Sequence, residues 1–377
     1  MEIPASARWV MEKLRAAGFE ARLVGGCVRD ELMGHAPHDW DVCTSARPEQ
    51  MQAVFAGART VEAGLKHGTL GIVSGGEVIE ATSYRVETGY SDRRHPDAVR
   101  FVIDLREDLA RRDFTINAMA WDERTGLIDP FDGAGDIRRR RIRCVGVPSE
   151  RFGEDALRIL RALRFAARFG FAVEEETAAA IHAQRGLLRR IAAERVFAEL
   201  KGIVTGPAAA PVLAAFSDVL ETVIPGARPF GPEAPEELGI RLALLLRGCG
   251  AEALDALRCD RALRREVEQL LEAPAPADEL ALRRLALEYG GERAGQIARL
   301  HGWPAEAAER TLRTSPCRSM RELAVNGGDL CALGLSGPAI GAARRALALD
   351  VLRGECENER EALLAYAAEN LHRFAKS

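Results

Sequence analysis

The sequence predicts an N-terminal α/β or α+β unit that carries a sheet and ends near position 145, followed by an all-helical remainder in three pieces. Short, β-branched and partly alternating runs occur at 69–73, 78–82 and 99–103, separated by turn residues such as Gly75-Gly76 and the segment 92–96. After Phe152 strand signals almost vanish, and Ala, Leu, Arg and Glu dominate. The helical portion is interrupted at Gly206-Pro207, at 225–235, at Pro274-Ala275-Pro276 and at 314–316, which read as loops between helices rather than disordered linkers. At 377 residues the chain exceeds the roughly 150 of a typical domain, so several compact units are expected.

The chain opens on an amphipathic helix that carries Glu2 and Glu12, without the basic segment and apolar block of a signal peptide. No stretch approaches the ~18 apolar residues of a membrane span. A soluble, cytoplasmic protein without membrane contact is therefore expected. Eight cysteines lie scattered with no Cys-x-x-Cys pair, and the seven histidines show no zinc-ligand spacing, which favours reduced structural thiols. A net charge of -4 argues against bulk attraction to nucleic acid but leaves room for a local basic groove. Only four lysines accompany 48 arginines. Guanidinium forks suit bidentate phosphate and base contacts, although codon bias in an Ala-rich genome would produce the same imbalance.

Gly25-Gly26-Cys27-Val28-Arg29-Asp30 follows the apolar pair Leu23-Val24. Two glycines after a short strand let backbone N–H groups approach a phosphate, with Arg29 nearby to pair with it; an ordinary tight turn is the plainer reading. No G-x-G-x-x-G and no Gly-Lys dipeptide occurs, which argues against dinucleotide and Walker-type loops. Asp39 and Asp41 stand two apart, a spacing that points both carboxylates to one side of an extended segment. Two such carboxylates with a third from elsewhere can hold a pair of Mg²⁺ ions, whereas isolated Asp-x-Asp is commonly solvated. Glu80, within Val78-Ile79-Glu80-Ala81-Thr82, is either that third acid or an edge residue.

Arg111-Arg112-Asp113 runs into an apolar segment containing Asn117. Arg112 could meet a triphosphate and Asp113 a ribose hydroxyl, or the patch is a capped helix start with solvated arginines. Asp129-Pro130-Phe131-Asp132-Gly133 reads as a turn leading to the basic run 138–143, a solvated face or an entrance for RNA backbone. The segment 154–165 is expected as one continuous helix, with Glu154, Arg158 and Arg161 on one arc and Ile159, Leu160 and Leu163 opposite. Asp155 and Arg158, at i,i+3, could offer a nucleobase an acceptor and a donor together, or form a surface ion pair.

Taken in order, these motifs resemble the class II tRNA nucleotidyltransferase and poly(A) polymerase family. The likeness extends through Arg161, Arg164-Phe165, Glu194-Arg195 and Glu199-Leu200, covering the first 200 or so residues, and the C-terminal runs at 323–330 and 358–363 resemble the tail of Bacillus-like members without an added HD domain. The resemblance implies an α+β fold in which a head with a small mixed sheet (1–145) precedes a helical neck (146–205), body (206–314) and tail (315–377). It implies that Asp39 and Asp41 bind Mg²⁺, with Glu80 as the third catalytic carboxylate. It also implies that Gly25, Gly26, Arg29 and Arg112 hold the triphosphate end, with Asp113 and Asn117 in the same nucleotide site. Asp155 and Arg158 would read the base, Glu154 would orient them, and Arg161 and Arg164 would lie nearby. The run 90–97 resembles the loop with which relatives switch from C to A. Trp40 stands where the family has a smaller residue, and the body carries little that matches.

The expected activity is addition of C, C and A to the 3′ end of tRNA from CTP and ATP, with release of pyrophosphate. An A-adding enzyme or poly(A) polymerase of the same family is the nearest alternative. A non-catalytic RNA-binding protein would not need both aspartates, and a nucleotide hydrolase would not need the base-reading pair. The sequence leaves the oligomeric state open.

Overall fold

The computed structural model describes residues 2–88 and 98–374, and the chain divides into two compact units, 1–225 and 226–377. The break falls inside the segment assigned from sequence to the body, so helices Ala209–Ala215 and Ser217–Val223 belong to the first unit. The second unit is helical throughout its described residues, and one of its cores gathers Leu330, Leu347, Val351, Leu363 and Phe374. No described helix is long and apolar enough to cross a membrane.

The strands of the first unit are β1 (Ala21–Val24), β2 (Asp41–Thr44), β3 (Thr60–Val61), β4 (Thr69–Ser74), β5 (Glu77–Ser83), β6 (Arg85–Thr88), β7 (Ala98–Phe101), β8 (Ala120–Asp122) and β9 (Gly126–Ile128). Seven of them form a sheet in the order β3-β4-β5-β2-β1-β8-β9, while β6 and β7 make a separate antiparallel pair. Within the large sheet only β2 and β5 run parallel, which makes it mixed. The three strands read from the sequence are present, the last ending at Phe101.

Period-two alternation assigns the two faces of this sheet different tasks. Leu23, Val42, Leu70, Ile72 and Ile79 bury one face against Val10, Met11 and Leu14 of helix Ala5–Ala16 and against Met51 and Phe55. On the other face Val24 and Cys43 of the central strands pack beneath Tyr84, Leu105, Leu109 and Val145. The remainder of that face, on β4 and β5, carries Thr69, Gly71, Glu80 and Thr82, and this uncovered part becomes the floor of the site.

The segment 154–165 is not one helix. It is split into Pro148–Glu154 and Leu157–Phe169, with Asp155 extended at φ -134° and ψ 104°. The Asp155 carboxylate accepts the Leu157 N–H at 3.0 Å, satisfying a donor that a new helix N-terminus would otherwise leave without a partner. The apolar stripe predicted for this segment is present, since Ile159, Leu160 and Leu163 are buried. The two-residue strand Ala172–Val173 pairs in parallel with Arg141–Ile142 and ties the end of this helix to the head.

Candidate active site

A cavity of about 380 Å³ opens over β4 and β5, and every residue that lines it belongs to the first unit. Its floor is Thr69 and Thr82, whose hydroxyls are 3.0 Å apart, with Asp41 and Glu80 beside them. Asp41 and Glu80 are direct register partners across the parallel β2–β5 pair, so their side chains leave the same face of the sheet. Asp39 lies exposed in the loop before β2 rather than on the strand, yet close enough for its charge to act on Asp41.

Burial pushes the Asp41 carboxyl up, the Arg112 guanidinium pulls it back, and the charges of Glu80 and Asp39 raise it again, leaving it at about 6. Two acidic neighbours that raise Asp41, against the Arg112 guanidinium that lowers it, suit a divalent cation. Among the described residues no group of three or more His, Cys, Asp or Glu stands so placed as to hold a metal ion by itself. An open set of carboxylates is what Mg²⁺ uses when substrate phosphates and water complete its shell.

Arg112 forms the wall nearest β1, and the Gly25-Gly26 turn lies behind it without lining the cavity. Gly25 has φ +78°, a conformation that favours glycine, and a Cβ there would stand 2.8 Å from Arg112 Nη1 and push that guanidinium aside. Gly26 is different: a Cβ would meet only Arg29 Nη2 at 3.7 Å, an ordinary contact. Arg112 reaches the Asn117 carbonyl at 3.5 Å and the Asp108 carboxylate at 3.6 Å, and its Nε is buried without a partner. It is an arginine beside a turn, with weak protein contacts and cationic capacity to spare.

Across the cavity stand Asp155 and Arg158. Glu154 bridges Arg151 at 2.5 Å and Arg158 at 2.6 Å, and Arg158 also donates to the carbonyls of Arg151 and Arg111, each at 3.3 Å. These contacts employ three of its five donors, so Nε–H and one Nη2–H remain. Asp155 is held by Arg195 at 3.1 Å through one oxygen and by the Leu157 N–H through the other. Acceptor and donor thus face one cavity, but from a helix break stabilised by Arg195, not from two turns of one helix.

Asp113 lines the cavity as well. Burial would raise its carboxyl, but the charge and hydrogen bonds of Arg161, with help from Asn117 and Arg158, hold it at about 2. Arg161 donates to Asp113 Oδ2 from Nε at 2.8 Å and from Nη2 at 2.5 Å, so Asp113 is a permanent carboxylate that anchors this helix to the head.

Arg29, Asn117 and Arg164 do not line the cavity. Arg29 is buried, donates to Asp30 at 2.8 Å and to Asn117 at 2.6 Å, and lies over Phe165 and Phe169 at 5.4 and 5.0 Å. Asn117 passes the connection on to Asp113 at 3.2 Å, and Arg164 binds Glu199 at 2.6 Å. Arg29 and Asn117 join the head to the helix Leu157–Phe169, and Arg164 ties that helix to Ala193–Val204. Arg29→Ala is accordingly expected to lower stability by about 3–5 kcal/mol, because it leaves Asp30 buried and unpaired; denaturant unfolding reads that loss.

The Asp129-to-Gly133 turn is structural: Asp129 caps Gly133 and Ala134, and Arg139 and Arg143 of the basic run converge on buried Asp136. Thr69, Thr82, Arg85, Arg111 and Arg195 join the cavity without having been singled out as site residues. Of these Arg111 and Arg195 stood in recognisable motifs; Thr69, Thr82 and Arg85 required knowledge of strand register. The loop-like run 90–97 lies outside the described residues.

Family models match three stretches: a poly A polymerase head domain over 21–143, a "Probable RNA and SrmB-binding site of polymerase A" over 170–227, and a tRNA nucleotidyltransferase domain 2 over 250–367. The CCA-adding enzyme of Limosilactobacillus fermentum is 38% identical over 97% of this chain and 96% of its own. That of Lactiplantibacillus plantarum is 36% identical over 97% of each. Among solved structures, the Bacillus stearothermophilus CCA-adding enzyme in complex with CTP superposes with a TM-score of 0.80 at 33% identity, covering 100% of both chains.

Proposed function

Since the chain belongs to the CCA-adding enzyme family of tRNA nucleotidyltransferases, we propose that its cavity over β4 and β5 is where CTP and ATP are selected and joined to the tRNA 3′ end. The observation that carries this reading is one cavity lined on its floor by Asp41 and Glu80, on one wall by Arg112, and on the other by Asp155 and Arg158. With tRNA as its substrate, the enzyme is assigned to the cytoplasm.

The RNA 3′-oxygen bonds to the α-phosphorus as the bond to pyrophosphate breaks, and the hydroxyl proton is released. Asp39 and Asp41, with Glu80 alongside, would hold Mg²⁺, which when bound supplies the positive charge that acidifies the hydroxyl and neutralises the departing pyrophosphate. Arg112 and the Gly26 N–H bind the triphosphate and orient the leaving group toward β1, while the Gly25 N–H is donated to the Met119 carbonyl at 3.0 Å. Asp155 accepts the exocyclic amino group of cytosine or adenine, and the remaining donors of Arg158 reach the adjacent ring nitrogen. Uracil and guanine turn a carbonyl toward Asp155 and an N–H toward Arg158, leaving buried groups unpaired, which is how a hydrogen-bonding site rejects them. The acceptor arm is held through phosphate contacts and shape.

The test is incubation with tRNA transcripts ending at the discriminator base, at C, or at CC, with each nucleotide singly and in pairs. Stepwise growth to CCA is expected; growth of the CC-ending transcript alone, with ATP, identifies an A-adding enzyme instead. Gly25→Ala should cost about 1–3 kcal/mol of stability through its positive φ. It should also weaken CTP binding by displacing Arg112, as read by equilibrium titration.

A further inference from the structure

Beyond the carboxylates the same sheet face continues without cover. Val61 of β3 opposes Gly71 of β4, Gly71 opposes Glu80 of β5, and Glu80 opposes Asp41 of β2, so four residues stand in one row across the strands. Val78 lies two residues before Glu80 and therefore shares its face. Both valines are open to solvent, Val61 at 45% and Val78 at 54% exposed. A Cβ on Gly71 would be 3.2 Å from Val61 Cβ and 3.2 Å from Val78 Cγ1, so the two side chains close over the glycine and form an apolar ledge. The ledge begins one strand spacing, about 4.8 Å, from Glu80.

Its position bears on the reaction. The Gly25-Gly26 turn, which follows the end of β1, and Arg112 lie on the β1 side of Asp41, and Arg112 and the Gly26 N–H bind the departing pyrophosphate in the function proposed above. In-line displacement brings the attacking oxygen to the opposite side of the α-phosphorus. From Asp41 that side is β5, then β4, then β3. We infer that the ledge of Val61 and Val78 over Gly71 is the subsite for the 3′-terminal nucleotide of the RNA acceptor, whose base rests on the valines while its 3′-hydroxyl reaches past Glu80. Apolar contact with the face of a base is indifferent to base identity. This suits an acceptor whose last nucleotide changes at each round, and it leaves discrimination to Asp155 and Arg158. The inference rests on the catalytic reading of Asp41 and Glu80 and adds residues that reading does not use.

Val61→Ser/Val78→Ser is expected to reduce the single-turnover rate of addition to tRNA ending in C at least fivefold. The CTP dissociation constant should stay unchanged and total tRNA binding should change less than twofold, because the rest of the tRNA is held elsewhere. Both positions are exposed, and an unchanged melting temperature verifies folding. As a second readout, the thiol of Val78→Cys should be protected from alkylation by tRNA ending in C. It should not be protected by CTP alone or by a transcript lacking its last two nucleotides; peptide mass spectrometry separates this thiol from the native ones. Wild-type addition by the double variant together with equal alkylation under all conditions overturns the ledge, provided Asp41→Asn abolishes addition. Addition that survives Asp41→Asn overturns the catalytic reading itself.

Discussion

Asp41→Asn is expected to abolish nucleotide addition, by at least about a thousandfold, while making the metal-free protein more stable at neutral pH. The first effect follows from losing one carboxylate of the Asp41–Glu80 pair on the cavity floor, where charge placement dominates phosphoryl-transfer chemistry. The second follows from the pKa. Burial, with Glu80 and Asp39 opposed by Arg112, places the Asp41 carboxyl at about 6, against an ordinary 3.8. A carboxyl raised on folding adds stability at low pH that is lost as pH rises from the unfolded value through the folded one. The native protein therefore gives up at most about 3 kcal/mol between pH 4 and 7, at 1.36 kcal/mol per unit. Asparagine has no proton to lose and should escape this cost. In EDTA the melting temperatures of wild type and Asp41→Asn should converge near pH 4 and separate by pH 7. Millimolar Mg²⁺ or Mn²⁺ should raise only the wild-type value at neutral pH. Parallel melting curves at every pH would show that Asp41 carries no such strain.

Arg158→Ala is expected to leave an enzyme that still adds nucleotides but has lost much of its choice. Glu154 and the carbonyls of Arg151 and Arg111 fix the guanidinium at the edge of the cavity it lines, with two of its donors unused. A well-placed bidentate contact to a base carries about 1–3 kcal/mol of discrimination. The preference for CTP over UTP should therefore fall by roughly 5- to 150-fold, with a smaller loss of rate. Competition between CTP and UTP on one transcript measures it, and a melting curve guards against loss of fold, since Arg158 also joins two helices. Undiminished rate and fidelity would remove Arg158 from base selection.

Much of this was legible in the chain itself. Alternation in 69–73 and 78–82 marks strands because a half-buried sheet must repeat every two residues, and β4 and β5 appear there. Asp39, Asp41, Arg112, Asp155 and Arg158 stand out because charged residues beside apolar runs must be solvated, paired or used. What local pattern could not determine was partnership over long separations. Nothing in spacing makes Glu80 the register mate of Asp41, since that depends on a parallel pairing across 39 positions. Nor does periodicity reveal that the helix breaks at Asp155, because a capping hydrogen bond and an Arg195 contact 40 residues away outweigh helix propensity. Arg29 shows the same limit from the other side: glycines beside an arginine suggest a phosphate site, yet tertiary packing turns that arginine inward onto Asp30, Asn117 and two phenylalanine rings. Sequence thus determined which residues carry charge and which strongly periodic segments form strands or helices, because those follow from side-chain chemistry and short-range period, though not where a helix breaks. Only the tertiary structure decided which charges meet, because pairing across a sheet and burial against a helix bring together residues that the chain keeps far apart.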